Sequence, residues 1–272
     1  MTRGTLPLFV MMFLLLGAIL GPYLPITGTE PDLSLRFLPP SWAHPLGTDE
    51  LGRDVLLRLL QGARISLGAG LVAAGAATAL GALIGITSGY AGGRMDALLM
   101  RSTDAIIALP MLPLLIVLSA IDTTKLGLNA SSAGLGKIIL LIALTGWPTT
   151  ARLARARTLT LKNTNFVLAA RGLGVSAPGI AAHHILPNLL GTVMIAAALS
   201  VGNVILAESA LSFLGLGIQP PTPSWGNMLS NAQENIWDHP SLALYPGVLI
   251  FVTVLSFNYL ADALAKNSII NQ

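Results

Sequence analysis

The chain of 272 residues is 53% hydrophobic and 10% charged, with a formal net charge of +3. An ordinary soluble domain carries about 25% charged residues, so this chain is too apolar to build a water-exposed surface. It contains no cysteine, which excludes a disulfide framework and thiolate metal ligands. The basic residues cluster between apolar runs, a pattern that indicates membrane topology rather than binding to nucleic acid. We therefore expect an all-α membrane protein.

Six apolar runs predict helices that cross the hydrocarbon core, a crossing that takes roughly 20 residues. In chain order they cover residues 6–24, 65–90, 105–121, 137–150, 186–207 and 243–264. Residues 1–24 are predicted as a retained N-terminal transmembrane helix, because no small-residue cleavage site follows them. The predicted organisation continues with an extracytoplasmic loop and lead-in (25–64), a five-helix core (65–265) and a cytoplasmic tail (266–272).

The second predicted span is dense in glycine, and small residues let helices approach closely in lipid. We expect it to pack inside a bundle or against a partner. Pro110 and Pro113 interrupt the third span, so it is predicted to kink. Residues 91–104 are predicted as a short loop and 122–136 as a polar connector. The fourth span is expected to continue as a helix through Arg157.

Six spans place both termini on one side of the membrane. The loop between the fourth and fifth spans is basic, whereas the loop after the fifth span contains no lysine or arginine. The positive-inside rule therefore favours cytoplasmic termini. The lead-in opposes this orientation with basic residues of its own, namely Arg36, Arg53, Arg58 and Arg64.

Residues 158–187 form the predicted cytoplasmic loop. Phe166 to Leu173 suit a short helix, and Gly174 can end it in the left-handed conformation. Ser176 can cap a second short helix with Pro178 in its first turn, and Pro187 would open the fifth span. Such a helix-turn-helix, with Ala169 and Ala170 exposed, suits a groove on a partner, and an ordinary amphipathic connector is the alternative.

Ala169-Ala170, Gly174 and Ile185-Leu186-Pro187 resemble the coupling motif of ABC importer permeases. In that family the short helix docks in a cleft of the ATP-binding subunit. Leu168 stands where many members carry an acidic residue, which weakens the case for a carboxylate contact with the ATPase at this position. The resemblance implies a set of ATPase-coupling residues: Ala169, Ala170, Gly174, Ser176, Pro178, Leu186 and Pro187.

Further motifs resemble the dipeptide, oligopeptide and nickel group of these permeases over about residues 40–265. They lie at residues 44–54, 62–67, 91–96, 100–104, 212–217 and 223–226. The resemblance implies a type I ABC importer bundle in a bacterial or archaeal inner membrane. It also implies three kinds of partner: a second homologous permease subunit in a heterodimer, two ATP-binding subunits and an extracytoplasmic substrate-binding protein.

The same resemblance implies a transport subunit rather than an enzyme, with no cofactor in this chain and with ATP and Mg on the partner subunits. The chain contains no Gly-x-x-x-x-Gly-Lys-Ser/Thr phosphate loop, which fits that division. Short peptides are the expected substrate, with nickel or metal chelates as the alternative. A secondary transporter driven by an ion gradient is the alternative from another class.

A few polar residues are further candidates. Asn203 and Glu208 fall near the end of the fifth span, where ionisable groups are functional candidates by default. They are predicted to line the translocation pathway, and Glu208 could instead form a buried pair that closes the outer gate. Asp49, Arg53 and Asp54 are predicted to make local ion pairs in a loop on the binding-protein side. His183-His184 are predicted to be interfacial rather than metal ligands, because adjacent helical residues diverge by about 100°.

Overall fold

The computed structural model describes residues 12, 16–17, 19, 30–121 and 130–270, with side chains from 135 to 266 in the last range. Most of the first predicted span therefore lies outside the described residues, as does part of the 122–136 connector. Throughout the described ranges the regular structure is helical and no strand is present, which confirms the all-α prediction.

The principal helices follow one another with short connections. They are α1 (Val55–Ala91), α2 (Gly93–Ala108), α3 (Met111–Ser119), α4 (Ala130–Leu161), α5 (Asn165–Gly172), α6 (Ala177–Ile180), α7 (Leu186–Phe213), α8 (Trp225–Ala232) and α9 (Ser241–Ile270). A π-helical turn, Ala181–Ile185, joins α6 to α7.

Three of the described helical stretches are long and apolar enough to cross a membrane: α1, the continuous run Ala177–Phe213, and Ser241–Lys266 of α9. A fourth crossing is obtained if α2 and α3, bent by 88° relative to each other, form one broken span. The bend falls at Leu109 and Pro110, so the predicted proline kink is confirmed. The count of six spans stays a prediction.

Several helices begin earlier than the predicted spans and loops suggest. Helix α1 begins at Val55, ahead of the span predicted from Ile65, because the Asp54 side chain caps it by accepting a hydrogen bond from Leu57 N at 2.8 Å. Residues 93–104, predicted as loop, belong to α2, since Gly92 alone separates the two helices and both Gly92 and Gly93 have positive φ. Residues 130–136 of the predicted connector are already helical.

Two boundaries near the end of the chain also differ from those predicted. Helix α7 continues to Phe213, so Glu208 lies within the helix rather than at its end. The predicted loop after it contains α8, whose start is a capping box between Ser224 and Asn227. The sequence signal for a capping box is normally Glu or Gln at the third helical position, and here asparagine fills that role.

Helix α1 is central and packs chiefly on α4 and then on α7. Gly81, Gly85 and Gly89 recur every four residues and lie directly against the backbone of α4. A Cβ atom added at Gly81 would stand 2.5 Å from Trp147 O, closer than real Cβ contacts allow. The expected close packing of the glycine-rich span is therefore confirmed, with α4 as its neighbour.

Candidate functional site

The predicted helix-turn-helix is present and closes as its local chemistry requires. Helix α5 ends at Gly172, Gly174 in the following turn has φ +81°, and Val175 N donates to Ala170 O at 3.1 Å across the turn. The Ser176 side chain accepts from Gly179 N at 3.4 Å and caps α6. The turn is thus built by a glycine in the left-handed conformation followed at once by a new helix start.

The exposure of the turn differs from the expectation in one respect. Ala169 is exposed, but Ala170 is buried together with Val167, because residues three apart share one face of a helix. Val167 packs in a small cluster with Ile180 and Ile185, which fixes α5 to the start of the following run. Docking through both alanines is therefore not available in this conformation.

Pro187 lies in the first turn of α7, where the fifth span was predicted to begin. The helix runs without interruption from Ala177 through the π-helical turn into α7, and Pro187 lies near the start of α7. A proline there costs little, since the π-helical turn before it already departs from the regular hydrogen-bond ladder. Of the predicted coupling residues, Gly174, Ser176, Pro178, Leu186 and Pro187 are exposed.

Two features of this segment were missed from the sequence. Leu173 is 86% exposed at the tip of the turn, an unusual place for a large apolar side chain. Arg171 donates to the Tyr90 hydroxyl at 3.5 Å and lies over the Tyr90 ring, 5.6 Å from its centroid. The exposure of Leu173 could have been predicted from its position beside the turn glycine. The contact between Arg171 and Tyr90 could not, because it joins distant parts of the chain.

Ion pairs tie α2 to α4 near the same end of the bundle. Arg155 donates to both carboxylate oxygens of Asp96 at 2.6 Å, and Arg152 donates to Asp104 at 2.5 Å. Lys162 donates to Gly89 O at the end of α1, at 2.9 Å. The helix-turn-helix is therefore connected through α1 and α4 to the bent pair of helices α2 and α3.

A cleft of about 330 Å³ lies at the bend between α2 and α3 and is also bounded by α4 and α7. Most of its lining is aliphatic, and its polar lining residues are Thr145, Thr149, Thr150, Ser200 and Asn203. The structure therefore places Asn203 on the wall of a cleft between helices, where a pathway residue would be expected.

Glu208 does not line this cleft. Its side chain is fully buried and accepts hydrogen bonds from Ser212 Oγ at 2.8 Å and Ser209 Oγ at 3.4 Å. Among the residues that the structure describes, no ion pair involves Glu208. Glu208 was alternatively predicted to form a buried ion pair. In the structure its carboxyl group instead has serine hydroxyls as partners.

The predicted loop ion pairs are present between residues 49 and 58. Arg53 Nε donates to Asp49 at 2.9 Å, and Arg58 of α1 donates to the same carboxylate oxygen. Arg53 also reaches Glu50 at 3.1 Å, while Asp54 accepts from His44 Nδ1 at 3.0 Å. Asp49, Arg53 and Asp54 are buried, so they organise the loop and do not themselves form its outer surface.

Burial, reinforced by the negative charge of Asp49, raises the pKa of the Glu50 carboxyl above its usual range.

We expect Asp49→Asn to destabilise the protein by about 3 kcal/mol, because Arg53 and Arg58 would keep their buried charges without the shared carboxylate. Glu50→Gln is the matched control and is expected to cost less than about 1 kcal/mol, since its carboxylate pairs with one arginine at the rim. Thermal unfolding of the purified chain in detergent measures both, and equal effects would contradict this ranking.

Within the described part of the chain, no group of three or more His, Cys, Asp or Glu side chains is arranged to hold a metal ion. His183 Nδ1 lies 3.1 Å from Gly179 O, and the His184 ring is tilted toward Phe166 at 6.5 Å. The two histidines thus make separate local contacts.

A bundle of apolar helices with the sharply bent pair α2 and α3, a cleft at that bend and an exposed helix-turn-helix has the features of a transport subunit. Residues 81–268 match the family described as "Binding-protein-dependent transport system inner membrane component". The chain belongs to this family, and it is accordingly a multi-pass permease subunit of an ABC importer.

Curated relatives of this chain match over most of its length. The dipeptide transport system permease protein DppC of Bacillus subtilis is 39% identical over 259 residues, which are 94% of this chain and 78% of the relative. The glutathione transport system permease protein GsiD of Pectobacterium atrosepticum is 38% identical over 225 residues, which are 83% of this chain and 72% of the relative. A putative peptide permease protein of Brucella suis is 39% identical over 244 residues, 89% of this chain and 78% of the relative.

A solved structure supports the fold. A chain of the MetNI methionine ABC transporter, in an inward-facing conformation, superimposes with a TM-score of 0.63 at 17% identity. The match covers 77% of this chain and 95% of that chain. At this identity the similarity establishes the type I permease fold alone.

Proposed function

We propose that this chain forms half of the translocation pathway of an ATP-driven importer for short peptides. The observation that carries the substrate class is the set of relatives, which match most of the chain and are named as dipeptide, peptide and glutathione permeases. Glutathione is itself a tripeptide, so these names describe one chemical class. Nickel and metal chelates are correspondingly disfavoured.

The second half of the pathway would come from a homologous permease subunit in a heterodimer. Asn203 supports this pairing, because its side chain is exposed on α7 within a stretch long and apolar enough to span the membrane. An amide facing lipid would leave its hydrogen-bonding groups unsatisfied at a considerable free-energy cost. A facing protein surface or a water-lined pathway removes that cost.

Coupling to ATP hydrolysis would run through the exposed turn between α5 and α6. Ala169, Gly174, Ser176 and Pro178 lie on its surface, and Leu173 offers an apolar side chain for a groove on an ATP-binding subunit. ATP and Mg would be bound by two such partner subunits. Movement of the turn would reach α1 through the contact of Arg171 with Tyr90, and would reach the broken span through the ion pairs between α2 and α4.

The orientation follows from this assignment. The turn and the termini would be cytoplasmic, whereas residues 30–54 and 214–240 would face the extracytoplasmic substrate-binding protein. Residues 65–265 then constitute the permease core, with the coupling loop at 158–187, the N-terminal helix at 1–24, the lead-in at 25–64 and the tail at 266–272. The basic composition of the coupling loop supports this orientation.

The substrate is tested by competition in proteoliposomes that contain the chain with its partner permease, ATP-binding subunits and binding protein. We expect uptake of labelled dialanine that excess unlabelled dipeptides and tripeptides suppress and that Ni²⁺ leaves unchanged. The matched control omits only the binding protein. Accumulation of nickel or of a nickel chelate without peptide uptake would contradict the proposed substrate class.

A further inference from the structure

The segment of residues 214–232, which contains α8, is fastened to α1 and α7 at points far apart in sequence. Trp225 is fully buried, and its Nε1 donates to Leu59 O of α1 at 3.1 Å. Three backbone N–H groups of the segment, two of them in the first turn of α8, donate to serine hydroxyls. These bonds are Ile218 N to Ser212 Oγ at 3.0 Å, Trp225 N to Ser66 Oγ at 3.2 Å and Asn227 N to Ser224 Oγ at 3.2 Å.

The same three hydroxyls surround one buried acidic side chain, that of Glu208. Ser212 donates to it at 2.8 Å, and the hydroxyls of Ser66 and Ser224 lie beside it. We call Glu208 with Ser66, Ser212 and Ser224 the serine cluster. It joins α1, α7 and the N-terminal cap of α8 around one buried acidic group.

The chemistry of the hydroxyl group explains why an acid occupies this position. A serine hydroxyl has one hydrogen to donate and two lone pairs that accept. A carboxyl oxygen of Glu208 accepts from Ser212, so Ser212 directs its hydrogen to Glu208 and turns its lone pairs to Ile218 N of the segment.

We propose that Glu208 is a positioning residue for transport: through the serine cluster it holds the 214–232 segment closed over the ends of α1 and α7. The inference rests on the proposed function, under which this segment lies at the extracytoplasmic end of the pathway. Weakening the cluster then favours a conformation in which the segment has moved away, and the pathway loses its dependence on the binding protein.

Ser209 provides a matched control within the same helix. Its hydroxyl also lies near the Glu208 carboxylate, at 3.4 Å, but among the described residues no backbone N–H of the segment donates to it. Ser209→Ala therefore removes a hydroxyl from beside Glu208 without releasing the segment. Ser66→Ala and Ser212→Ala remove hydroxyls that hold the segment, and Glu208→Gln replaces one accepting oxygen by an amide donor of the same shape.

The test uses the assembled complex in proteoliposomes and measures ATP hydrolysis without binding protein, together with peptides imported per ATP. We expect Glu208→Gln, Ser66→Ala and Ser212→Ala to raise ATP hydrolysis without binding protein at least about fivefold. This factor corresponds to the smallest free-energy cost expected for leaving a buried polar group unpaired. The same variants should lower the number of peptides imported per ATP, while Ser209→Ala stays at the wild-type values.

The exposure of the segment can be measured directly by labelling a single introduced cysteine, because the chain contains none of its own. Met228 of α8 is 8% exposed, so a maleimide should label Met228→Cys slowly in the wild-type background and faster with Glu208→Gln or Ser212→Ala. Equal labelling and equal coupling in all four variants would overturn the proposal. A wild-type complex that imports no peptide would instead refute the proposed function, while the labelling comparison would still decide the role of Glu208.

Discussion

Gly174→Val is expected to abolish most ATP-driven uptake while the chain still inserts and assembles. Gly174 has φ +81° and no atom within 4 Å of the position a Cβ would take, so the substitution acts through the backbone rather than through a clash. A β-branched residue at this φ is a conformational outlier, with strain on the order of 1–3 kcal/mol. The turn would relax to another conformation and move Leu173, which is exposed at its tip.

We expect stimulated ATP hydrolysis and uptake to fall about tenfold or more, which corresponds to roughly 1.4 kcal/mol of that strain. Gly172→Val is the matched control, because Gly172 is also exposed with no atom within 4 Å but is the last residue of α5 and lacks a positive φ. Both are measured as ATP hydrolysis with and without binding protein in the reconstituted complex. Wild-type coupling in Gly174→Val would show that the turn does not transmit ATP hydrolysis.

Gly85→Leu is expected to prevent the native packing of α1 on α4. A Cβ at Gly85 would contact Ala151 O and stand 2.6 Å from Ala154 Cβ and 2.8 Å from Arg155 N, so the helices would have to separate. Overpacking by even a few atoms costs about 1–3 kcal/mol, and leucine adds a whole side chain between two backbones. The separation would also disturb the nearby ion pair between Arg155 and Asp96.

Gly75→Leu is the control on the same helix, since no atom lies within 4 Å of a Cβ at that position and the residue is exposed. The melting temperature and monodispersity of the isolated chain in detergent provide the measurement. We expect a large loss of both for Gly85→Leu and little change for Gly75→Leu. Equal tolerance of the two substitutions would contradict the glycine contact between α1 and α4.

Features that depend on neighbouring residues were predictable from the sequence. The turn at Gly174 and the cap at Ser176 follow from local hydrogen bonding, and the break near Pro110 follows from a missing N–H. The start of α1 at Val55 was missed although Asp54 carries a capping signal, because the polar residues around it resemble a loop. The start of α8 was missed because asparagine replaced the usual Glu or Gln of the capping box.

Features that depend on distant residues could not be predicted. Burial of Ala170 follows from the packing of Val167 on Ile180 and Ile185, which periodicity alone does not specify. The serines around Glu208 come from different elements, so a lone acid near the end of an apolar run suggested a pathway residue or an ion pair. That ambiguity is general, since burial and partners decide the role of an ionisable residue in a membrane protein.

The most direct test of the central claim compares energy sources for dipeptide uptake in proteoliposomes containing the four kinds of subunit. ATP or ADP is supplied on the side of the membrane that carries the ATP-binding subunits. In a parallel sample an ionophore collapses ion gradients. If the chain is an ABC importer permease, uptake requires ATP and binding protein and is unchanged by the ionophore. Uptake by this chain without ATP-binding subunits, abolished by the ionophore, would contradict the account and identify a secondary transporter.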